Sequence, residues 1–363
     1  MLQGTEIIRT STSPSARLAA DLARFIHRFV YLTGRLRALL AIWIMHTHVF
    51  DDYEFTPYLN IQSPEPACGK STVAGALSAL CSRSTSPTCG TAAFLRRKID
   101  AVQPTLIVDE YDTLDDSVRT AFANSLNSGF RFDGTYSYVS GAEIVELKTF
   151  CPKAILGRSA VQLAEATKSR CITFVIHKAR PEERLEKFRR AGREEAALLR
   201  KRCEAWAADF RNRPVKVDPA MPSSFNARQQ DIAEVLLAIG EDCGGPWPRV
   251  VQNALAELFT EAQVPHPENE LLRAVHRFFG ERGTDHFWSN DFCTWANQQP
   301  ERPWSENPLT PAKLAQMLKH YEVYPDQINR IINGKQCNSR GYRASQFQDV
   351  FARYVGAPAI DPK

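Results

Sequence analysis

The residues with the clearest chemical potential are Gly69-Lys-Ser-Thr72, which follow a short apolar segment from Tyr58 to Gln62. The segment is typical of a buried strand, and the residues after Thr72 are typical of a helix. In this order, backbone N–H groups at the start of the helix face the phosphates of a nucleotide. Lys70 would contact the β- and γ-phosphates, and Ser71 would ligate Mg²⁺. With ATP and Mg²⁺ as cofactors, the predicted nucleotide contacts are Pro66, Ala67, Cys68, Gly69, Lys70, Ser71 and Thr72.

The spacing in front of this motif departs from the usual pattern G-x-x-x-x-G-K-[ST]. The pattern requires a glycine at the position of Pro64. Proline fixes φ and has no N–H, so the loop has to enter the phosphate site by another path. Because Gly-Lys-Ser also starts ordinary surface helices by chance, a second motif is needed.

That second motif lies about forty residues downstream, where the apolar segment Leu106 to Val108 is followed by Asp109 and Glu110. Asp109 could hold Mg²⁺ directly or through water, and Glu110 could orient and polarise an attacking water. Ser71 and Asp109 are therefore the predicted metal ligands, and Glu110 is a predicted catalytic residue. A strand that ends in an ordinary polar turn is the alternative. The Gly-Lys-Ser motif upstream favours nucleotide binding and hydrolysis.

An arginine precedes the last strand predicted for the core. Ser169-Arg170-Cys171 resembles the Ser-Arg-Cys motif of clamp-loader subunits, in which an arginine at this point acts on the nucleotide of a neighbouring subunit. The resemblance implies that Arg170 is a catalytic residue that acts in trans on the γ-phosphate, and that the protein is a homo-oligomer. A surface arginine is the alternative.

Other polar residues are candidates for sensing the γ-phosphate. A sensor is expected after the strand that ends near Gly157, where Arg158 and Ser159 stay open as alternatives. Arg228, at the start of a later predicted helix, is a candidate second sensor. A simple helix-surface charge is the more frequent role for such an arginine.

Two segments indicate contact with a large partner. Thr135 to Val139 and Ile144 to Phe150 flank Ser140-Gly-Ala142, which predicts a β-hairpin. This hairpin is similar to one that reaches DNA in several ring-forming ATPases; an ordinary edge hairpin is the alternative. Between Lys178 and Arg213 there are twelve Lys/Arg and seven Asp/Glu. That segment, predicted to be helical from Pro181 to Phe210, either meets nucleic acid or is a solvated helix with many salt bridges.

The composition bounds the class of protein. The chain has 363 residues and a net charge of +4, enough length for two or three domains. Its nine cysteines form no C-x-x-C pair, which argues against a zinc site or a disulfide framework and favours a reducing cytoplasm. The apolar runs are shorter than a membrane span requires, and the N-terminus lacks the pattern of a signal peptide. We therefore expect a cytoplasmic protein with no membrane partner.

The order of the predicted elements indicates an α/β fold with a P-loop NTPase (AAA+/helicase-like) core, a helical lid and a C-terminal winged-helix-like module. The predicted domains are an N-terminal helical segment, the ATPase core, the lid-like region and the winged-helix-like domain, at residues 1–34, 35–178, 179–263 and 264–363. In the last domain, two strands around Asn333-Gly334 would form a wing, with Lys335, Arg340 and Arg343 near phosphates. Protein docking is the alternative role for that module.

The chain also resembles a P-loop domain of unknown function (domain of unknown function 3631) that occurs in replication proteins of phages, plasmids and integrative elements. The matching features, in chain order, are Trp43–Phe50, Ser63–Ser71, Asp109-Glu110, Asn127–Gly129, Cys151–Ala154, Ser169-Arg170, Gly244–Pro248 and Arg340–Arg343. The likeness runs from about residue 35 to 355, and Pro64 looks like the family's own pattern. Thr167-Lys-Ser169 and Arg158 depart from it near the sensor region.

The resemblance implies a setting in mobile-element DNA replication. The leading hypothesis is an ATPase of helicase or translocase type that acts on DNA through the hairpin at 135–150 and the C-terminal module, with a primase or replication initiator as a further partner. The alternative is a nucleotide-gated adaptor that recruits a primase, an initiator or a defence effector with slow or no turnover.

Overall fold

The computed structural model describes residues 13–63, 67–86, 92–114, 116–158, 163–179, 183–213, 219–262, 267–299, 304, 307–319, 321–332 and 335–355. The chain divides into two units, Met1–Ala262 and Gln263–Lys363. Each unit has its own hydrophobic core.

The first unit contains a central sheet, a hairpin and surrounding helices. In chain order its elements are α1 (Pro14–Phe29), α2 (Gly34–His46), β1 (Tyr58–Ser63), α3 (Lys70–Leu80), α4 (Ala92–Val102), β2 (Leu106–Val108), α5 (Asp116–Ser128), β3 (Thr135–Ser140), β4 (Glu143–Lys148), β5 (Lys153–Arg158), α6 (Glu165–Lys168), β6 (Cys171–Val175), α7 (Arg190–Arg211), α8 (Ala227–Cys243) and α9 (Trp247–Ala262).

The sheet is parallel and has the strand order β2-β5-β1-β6. Leu59 lies opposite Ala154 of β5 and Ile172 of β6, and Ile107 lies opposite Ala154 on the other side. Strands this apolar are expected where helices cover both faces of a parallel sheet. The mixed α/β fold with a parallel sheet is therefore confirmed.

Helices from both ends of this unit share one core with the sheet. Helices α1 and α2 begin at Ser13 and Thr33, whose side chains accept backbone N–H groups as N-caps. The apolar sides of α1, α2, α7, α8 and α9 belong to the same buried cluster as the strands. The helices thus form one packed body around the sheet.

The predicted helix from Pro181 to Phe210 is wrong at its beginning. Residues 183–189 are not helical, and α7 begins only at Arg190. The ring of Phe188 packs against Phe29 at a centroid distance of 5.2 Å, and the N–H of Glu186 donates to the carbonyl of Arg28. Burying Phe188 on α1 and bonding to its last turn outweigh the local helix propensity of this charged segment.

The predicted hairpin is confirmed. Strands β3 and β4 pair antiparallel from Thr135↔Lys148 to Ser140↔Glu143, and Gly141 in the turn has φ +65°. Tyr136 faces α4, where the guanidinium of Arg96 lies 4.2 Å from its ring centroid. The hairpin therefore rests on α4 near its base.

The second unit combines helices with a three-stranded antiparallel sheet of order β7-β9-β8. Its elements are α10 (Pro267–Arg282), β7 (His286–Trp288), α11 (Ser289–Asn297), α12 (Pro311–Lys319), β8 (Asp326–Ile332), β9 (Lys335–Arg343) and α13 (Gln348–Tyr354). The predicted strand pair around 333–334 is confirmed by the pairing of β8 with β9. The sequence did not predict β7, which is only three residues long and lies between two helices.

Candidate functional site

The start of α3 follows a turn with two left-handed residues. Gly69 is its N-cap and adopts φ +97°, a left-handed conformation that strains any side chain. Ala67 is left-handed as well, with φ +61°. The ammonium group of Lys70 donates a hydrogen bond to the hydroxyl of Ser63, the last residue of β1. Lys70 is therefore held beside the C-terminal end of the sheet.

A cavity of about 360 Å³ lies at this point of the molecule. Its lining comes from three places in the chain: the start of α3, the turn after β2 and the end of β5. The lining residues are Ala67, Gly69, Lys70, Ser71, Thr72, Glu110, Thr113 and Arg158. This volume lies in the range of small-ligand sites.

The strand order brings these three places together. Because β5 lies between β1 and β2, the C-terminal ends of the three strands are neighbours at one edge of the sheet. Ser63 lies directly opposite Arg158 in the register. Of the two candidate sensors, Arg158 lines the cavity. The other, Ser159, lies outside the described residues.

The turn after β2 holds Glu110 in an unusual backbone conformation. Its φ and ψ are 57° and 45°, which is left-handed for a residue with a side chain. The carboxylate of Asp109 accepts the N–H of Glu110 at 3.0 Å. The carbonyl of Glu110 accepts the N–H of Thr113 at 2.9 Å and its hydroxyl at 2.9 Å. Strain of this kind, of the order of 1–3 kcal/mol, is common at functional sites.

Most of the predicted nucleotide contacts line the cavity. Ala67, Gly69, Lys70, Ser71 and Thr72 line the cavity, whereas the buried Cys68 does not. Of the predicted metal ligands, Ser71 lines it, and Asp109 lies next to the lining residue Glu110. Pro66 and Pro64 lie outside the described residues. Thr113 was missed by sequence reasoning; its position three residues after Glu110 was the available signal.

Arg170 lies at the other end of the sheet. Its carbonyl accepts the N–H of Tyr58, the first residue of β1, while Lys70 contacts Ser63, the last. Five residue steps at roughly 3.3 Å each separate the two ends by about 17 Å. Arg170 is therefore remote from the cavity of its own chain.

Arg228, the candidate second sensor, is also near Arg170 and not in the cavity. Its guanidinium lies 5.0 Å from the ring centroid of Phe130, and that of Arg170 lies 6.0 Å from the same centroid. Phe130 in turn packs edge-on against Tyr58. Arg228 is thus placed at the N-terminal edge of the sheet.

Several arginines of the basic segment form ion pairs with carboxylates of the same chain. Arg202 pairs with Asp21 of α1 at 2.7 Å. Arg211 pairs with two carboxylates in the turn after α2, each at 2.6 Å. Arg213 pairs with the half-buried carboxylate of Asp242 in α8. These ion pairs favour the interpretation of this segment as a helix with many salt bridges.

The tip of the hairpin is apolar and acidic. Val139 and Ile144 face each other across the strands and are 72% and 75% exposed. The exposed charges of β4 are Glu143, Glu146 and Lys148. This surface attracts phosphates poorly and fits an apolar partner better.

Several buried polar groups near the sheet have structural partners. Lys153 is fully buried, and its ammonium group donates to three backbone carbonyls and to the hydroxyl of Tyr58 at 2.9–3.3 Å. Burial lowers its pKa. His46 and His48 are buried at the end of α2 and contact Thr56 and the carbonyl of Leu80. Burial lowers the pKa of His46 to about 3 and that of His48 to about 4.

The second unit has a cleft of its own. A cavity of about 470 Å³ there is lined by Phe278, Arg282, Thr284, His286, Asp291, Thr294, Trp295 and Gln298. On β9, Arg340 and Arg343 are exposed. Because they are three positions apart on a strand, they lie on opposite faces and do not form one basic surface.

The match to a known family concerns the later part of the chain. The sequence model of a family described as "Protein of unknown function (DUF3631)" matches residues 175–354. This supports the family resemblance from the end of β6 onward; Lys70, Asp109 and Arg170 precede the matched residues.

A curated relative is also similar to this chain. The chain is 28% identical over 181 residues to the "Uncharacterized 28.9 kDa protein in xis 5'region" of Saccharopolyspora erythraea. The match covers 48% of this chain and 66% of that relative's length.

None of the helices within the described ranges is both long and apolar enough to cross a membrane.

Proposed function

We propose that this chain is a P-loop NTPase that binds ATP with Mg²⁺ in the cavity beside α3 and hydrolyses it. The observation that carries the proposal is the cavity lining itself. Lys70, Glu110 and Arg158 are far apart in the sequence and meet around one cavity at the N-terminus of a helix. Such a helix end favours phosphate through its free N–H groups and its dipole.

The residues present fit a magnesium nucleotide. The hydroxyl of Ser71 and the carboxylates that follow β2 are oxygen donors at the same edge of the sheet, and Mg²⁺ prefers such hard ligands. Ser71 and Asp109 would hold the ion. When bound, Mg²⁺ would neutralise charge on the β- and γ-phosphates.

Each remaining residue has a distinct task in hydrolysis. Glu110 would orient a water and accept its proton as the water oxygen bonds to the γ-phosphorus. The bond from the γ-phosphorus to the bridging oxygen breaks, and ADP and phosphate are released. Lys70 and Arg158 would hold the phosphates and balance the charge of the transition state from within the chain. Arg170 would act on a second copy, because it is remote from its own cavity.

The proposed partner is DNA, and the proposed activity is that of a helicase or translocase in mobile-element replication. Support comes from the family resemblance, from the relative whose name refers to a xis 5'region, and from the second unit. Its helices and β7-β9-β8 sheet are compatible with a winged-helix module, which contacts DNA or a primase or initiator protein.

Hydrolysis with and without single-stranded DNA tests the proposal. We expect turnover that DNA stimulates, no ATP binding in Lys70→Ala, and ATP binding without turnover in Glu110→Gln. Lys98→Ala, at a half-buried position of α4 that does not line the cavity, is the matched lysine control. If Lys70→Ala bound ATP as well as the wild type, the proposed location of the ATP site beside α3 would be wrong.

The alternative function is a nucleotide-gated adaptor. The apolar, acidic hairpin tip favours it, because Val139 and Ile144 fit a protein partner better than a phosphate backbone. In that case turnover would be slow and indifferent to DNA. Val139→Ser would then weaken partner binding without affecting ATP binding.

A further inference from the structure

The cavity of the second unit is larger than the one beside α3, and the proposed ATP hydrolysis does not use it. Its volume is about 470 Å³, against about 360 Å³ beside α3, and lies in the range of small-ligand sites. Its lining comes from the end of α10, the turn into β7 and one side of α11. None of the described lining residues belongs to β8 or β9.

Aromatic side chains form the apolar floor of this cavity. Phe278 of α10 packs edge-on against Trp295 of α11, with ring centroids 5.1 Å apart. The indole N–H of Trp295 donates to the carboxylate of Glu281 at 3.2 Å, which fixes the ring. The guanidinium carbon of Arg282 lies 5.7 Å from the ring centroid of Phe278. The floor therefore combines aromatic rings with a flat cation, a surface that suits a planar ring with an anionic substituent.

Two basic side chains of the lining can bind that anion. No carboxylate among the described residues forms an ion pair with Arg282. Nδ1 of His286 lies 2.6 Å from the carboxylate of Asp285, and this hydrogen bond holds the pKa of Asp285 below its ordinary value. The carboxylate orients the imidazole ring, and the protonated ring can still donate through Nε2. Arg343 lies directly opposite His286 on β9 and adds positive charge beside it.

The side of the cavity formed by α11 carries hydrogen-bonding groups. Asp291, Thr294 and Gln298 are three and four positions apart, so they lie on one face of the helix. The hydroxyl of Thr294 donates to the carbonyl of Asn290 at 2.9 Å and keeps its lone pairs as acceptors. A carboxylate accepts several N–H groups at once, and an amide both donates and accepts. A simple anion gains nothing from Asp291, whereas a ligand with N–H groups at one end and an anion at the other uses both sides of the cavity.

A nucleotide whose base carries an exocyclic amino group has both features. We propose that the cavity between α10 and α11 binds one such nucleotide, with its phosphate at Arg282 and His286 and the amino group of its base at Asp291. Cytosine and uracil give the clearest comparison, because the N4 amino group of cytosine donates where uracil has the O4 acceptor, which a carboxylate repels. The nucleotide is either a free nucleoside monophosphate or one unit of a single strand.

This inference is independent of the proposed ATP hydrolysis and goes beyond it. It assigns a second nucleotide site to the chain, in the unit that does not contain Lys70. It also places the nucleotide contact beside α11, away from the wing predicted around residues 333–334. ATP binding beside α3 and nucleotide binding beside α11 can therefore fail separately.

Calorimetric titration of the full chain with deoxycytidine monophosphate (dCMP) and deoxyuridine monophosphate (dUMP) tests the site. Mg²⁺ is left out, and the Lys70→Ala chain is titrated beside the wild type to exclude the cavity beside α3. We expect both chains to bind dCMP equally, and dUMP about tenfold more weakly. Binding of dCMP that is lost in Lys70→Ala, or equal binding of the two nucleotides by the wild type, overturns the inference.

Three variants at exposed positions locate the ligand, and their unfolding temperatures should stay near wild type. Arg282→Ala removes a charge-assisted hydrogen bond and should weaken dCMP binding about tenfold. Asp291→Asn offers an N–H as well as an oxygen and should bind dCMP and dUMP equally. Arg277→Ala, on the same helix but outside the lining, is the matched control and should bind like the wild type. An Asp291→Asn variant that still prefers dCMP, or equal affinities for the two arginine variants, contradicts the proposed contacts.

The length of the ligand distinguishes the two sources of the nucleotide. If the site takes one unit of a single strand, short oligodeoxycytidine should bind more than about tenfold tighter than dCMP, because neighbouring bases add stacking contacts. If it takes a free monophosphate, the oligonucleotide should bind no tighter than dCMP. In both cases Arg282→Ala should weaken binding. A chain that binds neither ligand but still binds Mg·ATP overturns this inference and leaves the proposed function standing.

Discussion

Replacing Glu110 by glycine should stabilise the protein and stop hydrolysis together. Glu110 has φ 57° and ψ 45°, and a left-handed conformation costs a residue with a side chain roughly 1–2 kcal/mol. Glycine avoids that cost but loses about 0.5–1 kcal/mol through its greater freedom in the unfolded chain. The net gain should be about 0.5–1 kcal/mol. The backbone carbonyl that accepts two hydrogen bonds from Thr113 is retained.

The gain can be measured by calorimetry of the full chain. For a unit of this size, about 1 kcal/mol corresponds to a rise of roughly 2–4 °C in unfolding temperature. Gln103→Gly, at φ 41° directly after α4 and outside the cavity lining, relieves the same backbone conformation but also loses the side-chain hydrogen bond to the carbonyl of Phe150. It should therefore change the unfolding temperature little and leave turnover unchanged. Glu110→Gln should stop turnover without a gain in stability.

Two separate outcomes for Glu110→Gly would contradict the prediction. If Glu110→Gly lowers the unfolding temperature, the left-handed backbone is not a source of strain at this turn. If it hydrolyses ATP at the wild-type rate, the carboxylate does not position the water. The unfolding temperature therefore tests the backbone strain at Glu110, and turnover tests the role of its carboxylate.

Three further predictions concern buried polar groups. Burial lowers the pKa values of His46 and His48 to about 3 and about 4, so the unfolded chain binds more protons than the folded chain below pH 6.5. The stability measured by urea titration should therefore fall as the pH drops from 6.5 to 4. A stability that does not change over this pH range would contradict the prediction. Asp242→Ala leaves the hydroxyl of Ser15 without its acceptor and removes one of two acceptors from Trp206 and from Arg213. It should cost about 1–3 kcal/mol by denaturant unfolding, against less than about 1 kcal/mol for the exposed Glu257→Ala. Lys153→Met leaves three carbonyls without a donor and should cost about 3 kcal/mol in the same assay; a loss below about 0.5 kcal/mol would show that they find other donors.

Local patterns in the sequence predict most of the elements around the site. The apolar run of β1, the Gly-Lys-Ser start of α3 and the short strand β2 depend on neighbouring residues, so they can be recognised without the fold. The turn at Gly141 likewise identifies the β3–β4 hairpin. The helix predicted from Pro181 failed because the contact of Phe188 with α1 is made with residues far away in the chain.

The sequence alone therefore determined which residue types are available: a lysine and hydroxyls at a helix start, carboxylates at a strand end and arginines near later strands. Only the tertiary structure decided which of them meet. The order β2-β5-β1-β6 brings Arg158 into the cavity with Lys70 and Glu110 and leaves Arg170 and Arg228 together at the opposite edge. Strand order is set by packing between residues distant in the sequence, and no local pattern carries that information.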